Sequence, residues 1–217
     1  MSTPRLNCDM PTVFLVFVAG CATSLLLAAM VGCRRGPARI HPPKINAAQA
    51  AADAVAELDQ DGDGLLSNEE LEQCPAIHAA QRRYDKDNDG LVSANEIASR
   101  IGELSRHGLT GLYSLACRFT LNGAPLAGAT VELVPEEFLG PVVQSARGVT
   151  SRRGLVRPTI EGVGETPLRG AQPGLYRIAV TGPNDEVTAR YGDGQRLGLE
   201  VSEACLGTDI IFHLTTN

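Results

Sequence analysis

Two stretches of the chain set acidic residues at alternate positions ahead of a glycine and end on a glutamate. Residues 59 to 70 read Asp-Gln-Asp-Gly-Asp-Gly-Leu-Leu-Ser-Asn-Glu-Glu, and residues 85 to 96 read Asp-Lys-Asp-Asn-Asp-Gly-Leu-Val-Ser-Ala-Asn-Glu. Oxygen donors at this spacing suit a hard divalent cation, which takes six to eight oxygens at roughly 2.3–2.6 Å. In the first loop Asp59, Asp61 and Asp63 offer carboxylates, Leu65 its backbone carbonyl, and Ser67 an oxygen directly or through water. Glu70 closes the site with both oxygens. The same roles fall to Asp85, Asp87, Asp89, Leu91, Ser93 and Glu96, with Gly64 and Gly90 at the sharp turns. Two Ca2+ sites are expected, with magnesium or empty loops as the alternatives.

Both stretches satisfy the EF-hand loop pattern at every place, and a single accidental match in such a chain has odds on the order of one in a thousand. The resemblance implies a paired unit in which Leu66 and Val92, eighth in each loop, meet across a short two-strand contact. Helices must hold the loops. Ile45 to Leu58 repeats Ile45, Ala48, Ala52, Val55 and Leu58 at helical spacing, and Ala94 to His107 carries Ile97, Ile101 and Leu104 on one face before Gly108. Asn68 to Cys74 and Ala76 to Tyr84 form two short helices divided by Pro75. Residues 71 to 84 are a short connection beside sensor-type pairs, and Met1, Met10 and Met30 all precede the loops, so the Met-rich target groove of a sensor is not expected. Crowded carboxylates repel one another without a cation, so folding of this part is expected to be metal-linked, with affinity of about 0.1–1 mM as in extracellular modules. Dockerin modules also duplicate such loops and imply a docking role, but usually close them with Asp where Glu70 and Glu96 stand.

From about Thr110 the helix signals give way to short β-branched runs bounded by turn residues. Strands are expected over Tyr113 to Leu121, Thr130 to Val134, Gln144 to Thr150, Gly154 to Pro158, Leu175 to Thr181, Leu197 to Val201 and Asp209 to Thr215. Seven strands in this length suggest a β-sandwich, and the fold class expected is multidomain α plus all-β. Domains are read as a leader over 1–33, a linker over 34–44, the EF-hand pair over 45–108 and the sandwich over 110–217.

Phe119 to Val131, Gly148-Val149-Thr150 with Gly154, and Gly170 through Gly174-Leu175-Tyr176-Arg177-Ile178 resemble the transthyretin-like, carboxypeptidase regulatory-like family. With Thr188-Ala189-Arg190-Tyr191 and Ile210-Ile211-Phe212-His213-Leu214, the likeness extends to envelope domains of planctomycete-type bacterial lipoproteins. It implies adhesion, contact with an envelope protein or polysaccharide, or spacing, without catalysis. Its motifs are structural and say little of a ligand.

Thr12 to Gly32 is almost wholly apolar behind Arg5, a secretory signal or a span long enough for a bilayer. Met30-Val31-Gly32-Cys33 resembles a lipobox, which implies lipidation of Cys33; Val18-Ala19-Gly20-Cys21 is a second match that would leave Leu25 to Val31 exposed. An uncleaved anchor is the alternative, since Arg34, Arg35 and Arg39 would hold the remainder inside. The membrane is thus an expected partner, and the location expected is the bacterial cell envelope. Cys8 precedes the apolar run. Export permits a disulfide between Cys117 and Cys205 if they meet across the sandwich, and leaves Cys74 as a small buried residue.

A net charge of -6, with acids concentrated in the loops, excludes a basic stripe for nucleic acid, and 4% aromatics with no Trp excludes an extended stacking platform. His41, His78, His107 and His213 are scattered, no Ser sits in a nucleophile elbow, and Arg152 and Arg153 read as a solvated turn, so no enzyme is expected. The function read from the sequence is a calcium-binding, non-enzymatic envelope protein. Its alternatives are a calcium-dependent docking or adhesion module and a membrane-anchored calcium sensor.

Overall fold

The computed structural model describes residues 41–107, 111–160 and 167–216. The leader, Cys8, Cys21, Cys33 and the boundary at 108–110 lie outside these residues. Residues 39–217 group as one compact unit. Its helices are followed by a β-rich region with several sheets, an α plus β arrangement.

Helix α1 (Ala47–Leu58) starts where the Asn46 side chain accepts the Gln49 N–H, and buries Ala50, Ala51, Ala54 and Leu58 along one stripe. Strand β1 (Leu65–Leu66) and helix α2 (Asn68–Leu71) complete the first loop. Helix α3 (Pro75–Tyr84) then leads to β2 (Val92–Ser93) and α4 (Ala94–His107). Pro75, expected to divide two helices, is the first residue of α3, where its missing N–H deprives the helix of nothing. Helix α2 ends at Leu71, well short of Cys74.

Ten strands follow: β3 (Ala116–Leu121), β4 (Ala124–Pro125), β5 (Thr130–Pro135), β6 (Ala146–Val149), β7 (Leu155–Val156), β8 (Thr159–Ile160), β9 (Leu168–Arg169), β10 (Gly174–Thr181), β11 (Gly198–Val201) and β12 (Asp209–Leu214). Each of the seven runs read from the sequence contains a strand; β4, β8 and β9 are additional. One sheet has the order β11-β10-β5-β6-β8-β9, and the other β12-β3-β4, with β7 pairing β3. Strand β12 lies parallel to β3, placing Phe212 beside Phe119 with stacked rings 4.9 Å apart. Between β10 and β11 the chain forms an unexpected helix, α5 (Asp185–Tyr191), begun by Asn184 accepting the Val187 N–H.

Helical and β-rich parts share one buried cluster, from Leu58, Leu71, Ile77 and Ile97 to Leu133, Tyr176 and Val201. Helix α3 rests on β11 so closely that a Cβ on Gly198 would overlap the backbone of Pro75 and Ala76. The Cys74 thiol donates to Glu136 Oε1 at 3.5 Å, and Arg177 Nε lies 3.2 Å from Glu136 Oε2. The disulfide that export would permit between Cys117 and Cys205 is not formed: both are free, buried thiols. Cys205 Sγ instead donates to the Glu200 carbonyl at 3.3 Å, and burial pushes Cys117 up to about 12.

Burial raises the Glu136 carboxyl to about 7, against the pull of Arg177. Between about pH 4.5 and 7 the unfolded chain has released this proton while the folded chain keeps it, so this group makes stability fall as pH rises. Glu136→Gln should therefore gain on the wild type in melting temperature between pH 5 and pH 8; a difference constant with pH would contradict this account.

Candidate metal centre

Each loop gathers its three aspartates around one point. One ligand oxygen from each of Asp59, Asp61 and Asp63 lies within 4.8 Å of the others, and Asp85, Asp87 and Asp89 repeat the cluster. Backbone N–H groups fix these carboxylates. The Gly62 and Gly64 N–H groups donate to Asp59 at 2.7 and 2.9 Å, Asp63 N–H donates to Asp61 at 3.1 Å, and Leu65 N–H donates to Asp63 at 2.8 Å. In the second loop Gly90 N–H donates to Asp85, Asp89 N–H to Asp87 and Leu91 N–H to Asp89. Gly64 and Gly90 have φ of +83° and +88°, a backbone state that a Cβ disfavours.

The closing glutamates span their loops. Glu70 Oε1 accepts the Gln60 N–H at 2.8 Å, while Oε2 accepts the Ser67 N–H and hydroxyl, both at 2.8 Å. Glu96 does the same with Lys86 N–H at 2.7 Å and with Ser93 N–H and hydroxyl at 2.8 Å. The Ser67 N–H leads the donors that hold Glu70 at about 2. At Glu96 burial opposes ionisation, but the donors of Ser93 and Lys86 outweigh it and lower the carboxyl from its ordinary value. Ser67 also caps α2 in a reciprocal box with Glu70. Both serine hydroxyls donate to the closing carboxylate, which leaves an oxygen lone pair on each that could face a cation directly or through water.

The donor set fits calcium. It is all oxygen, the three carboxylates of each cluster are close enough to repel, and Asp85 Oδ1 is buried with no hydrogen-bond partner. The backbones meet as the spacing demands, with Leu66 opposite Val92 and Leu65 opposite Ser93 in an antiparallel ladder. Leu65 and Leu91 sit at the seventh positions, whose carbonyls would complete each set.

Sequence reasoning missed a buried ion-pair cluster beside the second loop. Arg83, in the last turn of α3, donates to Glu200 Oε1 at 2.9 Å. From α4, Arg100 donates Nη2 to Glu200 Oε1 at 2.6 Å, Nε to Glu200 Oε2 at 3.0 Å and Nη1 to Glu103 at 2.7 Å. Glu200 belongs to β11 and is only 3% exposed; burial raises its carboxyl, and the two guanidiniums more than reverse this, leaving it below the ordinary value. Gly198 and Glu200 are two apart on a strand and thus on one face, but nothing local marks that face as the one α3 covers. His213 is exposed on β12 with Nδ1 2.9 Å from Thr120 Oγ1, and Arg152 and Arg153 are exposed in a turn.

A family model described as EF hand matches residues 53–75, a stretch that contains the whole first loop, and points to calcium binding there. Comparison with curated proteins and with solved structures gives no match. Clustered like charges favour neutralisation without metal and calcium coordination with it. Asp87→Asn should accordingly raise the melting temperature in excess chelator and lower it in excess calcium, and the same sign in both would rule out a cation role for this cluster.

Proposed function

We propose that the chain is a calcium-binding, non-enzymatic cell-envelope protein in which two structural Ca2+ ions hold the helical pair against an interaction domain. The observation that carries this reading is the duplicated cage: three convergent aspartates and a backbone-pinned closing glutamate, at Asp59 to Glu70 and again at Asp85 to Glu96. A structural role is supported by the helix faces. Leu58, Ile77, Tyr84, Ile97 and Ile101 are already buried in the shared core, where a sensor would hold such residues ready for exposure.

In this reading the β-rich region is a transthyretin-like sandwich that meets an envelope protein or polysaccharide. Support comes from the resemblance of Phe119 to Val131 and Gly170 to Ile178, whose Asn122 and Gly123 take the positive φ of a tight turn between β3 and β4. Export and tethering rest on the apolar run Thr12 to Gly32 and on Cys33. Among the described residues no helix is long and apolar enough to cross a membrane.

Calorimetric titration of residues 39–217 should show two calcium sites that magnesium does not fill. The Glu70→Gln, Glu96→Gln double variant should lose both, because each closing carboxylate supplies two oxygens. No heat up to several millimolar calcium would remove the calcium role.

A further inference from the structure

Loop 85–96 is the connection between α3 and α4, so the angle and spacing of these helices decide where Asp85 and Glu96 stand. Asp85 follows α3 directly, and Glu96 is in the first turn of α4. Both helices are tied to one carboxylate from another part of the chain. Glu200 accepts from Arg83, two residues before Asp85, and takes both prongs of the Arg100 fork, one helical turn beyond Glu96. The Arg100 side chain is 16% exposed and that of Glu200 1%, so the fork is desolvated and held, unlike an exposed pair that exchanges with water. Tyr84, fully buried between Arg83 and Asp85, lies close enough for Glu200 to add to the effect of burial in raising its phenol. At the far end of α3, Gly198 admits the backbone of Pro75 and Ala76 against the same strand. Helix α3 is thereby fixed to β11 at both ends. The first loop has a different arrangement: α1 and α2 donate no side chain to Glu200.

From this we infer that Glu200 is a positioning residue for the second calcium loop: by clamping Arg83 and Arg100 it presets the separation of Asp85 and Glu96, making calcium affinity at that loop depend on the β-rich region. The inference rests on the calcium reading above. A cage held at its final geometry avoids ordering two helices when the cation arrives, and loosening groups that orient metal ligands weakens binding by about 10-fold or more. Glu200 touches no cation in this scheme; it acts only through the two helices.

The glycine amides give a separate reporter for each loop, since Gly64 N–H donates to Asp59 and Gly90 N–H to Asp85. Calcium titration of the full-length protein in detergent, followed at these two amide resonances, tests the inference. In Glu200→Gln the midpoint at Gly90 should move to about 10-fold higher calcium, with a much smaller shift at Gly64. Arg83→Gln leaves the Arg100 fork intact and should give a smaller shift of the same kind, so it remains informative if Glu200→Gln does not fold. Asp209→Asn, which removes the distant Arg118–Asp209 pair, serves as a control for loss of stability in the β-rich region. Two unchanged midpoints in both clamp variants, or equal shifts at both glycines matched by Asp209→Asn, would overturn the positioning role while leaving calcium binding intact. A wild-type protein that shows no calcium response at either glycine would overturn both.

Discussion

A carboxylate withdrawn from water is costly unless its charge is met and its lone pairs are filled, and Glu200 is the deepest such group in the helical joint. Its two oxygens take three N–H donors from two arginines. Those arginines belong to different helices, so satisfying one buried charge requires α3, α4 and β11 to be in place together. Apolar packing of Ile77, Ile97 and Val201 supplies area around the joint but little direction; the guanidinium fork supplies the direction. Removing Glu200 would leave Arg100 largely buried without its partner, whereas removing Arg83 would leave the Arg100 fork in place.

The loops bring a second constraint of opposite sign. Three carboxylates within 4.8 Å work against the compact state, and the fold counters them with nearby N–H groups and a ladder of two residues per strand. These countermeasures are local, all contained in residues 59–70 and 85–96. The joint to β11 is long-range and fixed by packing. The unit thus combines a part governed by ionic conditions with a part governed by burial, and α3 belongs to both.

How much could be read in advance follows the same division. The aspartate clusters and the extent of α4 were legible because each depends on residues within about a dozen places of one another, and the pairing of Leu66 with Val92 because the loop pattern repeats at a spacing of 26 residues. The strand runs were legible as positions but not as partners. Parallel pairing of β12 with β3, the inward turn of Glu200 and the approach of Pro75 to Gly198 join residues about a hundred or more places apart, and no local pattern encodes them. Over Leu197 to Val201, strict alternation of the apolar residues favours an outward Glu200. The structure buries Gly198, Glu200 and Val201 because α3 covers the face that a lone strand would leave wet. The missed α5 is a different case, since Asn184 followed by Asp185 and Glu186 is a helix-start signal obscured by its strand-rich surroundings.

The parallel seam between β3 and β12 also determines the order in which the region can be completed. Strand β3 opens the β-rich region and stays without its parallel neighbour until Asp209 to Leu214 has been made. A chain growing from its N-terminus therefore holds the edge of β3 that meets β12 unpaired while residues 122 to 208 are synthesised. Contacts of such long sequence separation form slowly, and an unpaired strand edge invites other chains in the interval. Assembly of this half is consequently a late event in the life of each polypeptide, and the helical pair, built from near neighbours, is free to form well before it.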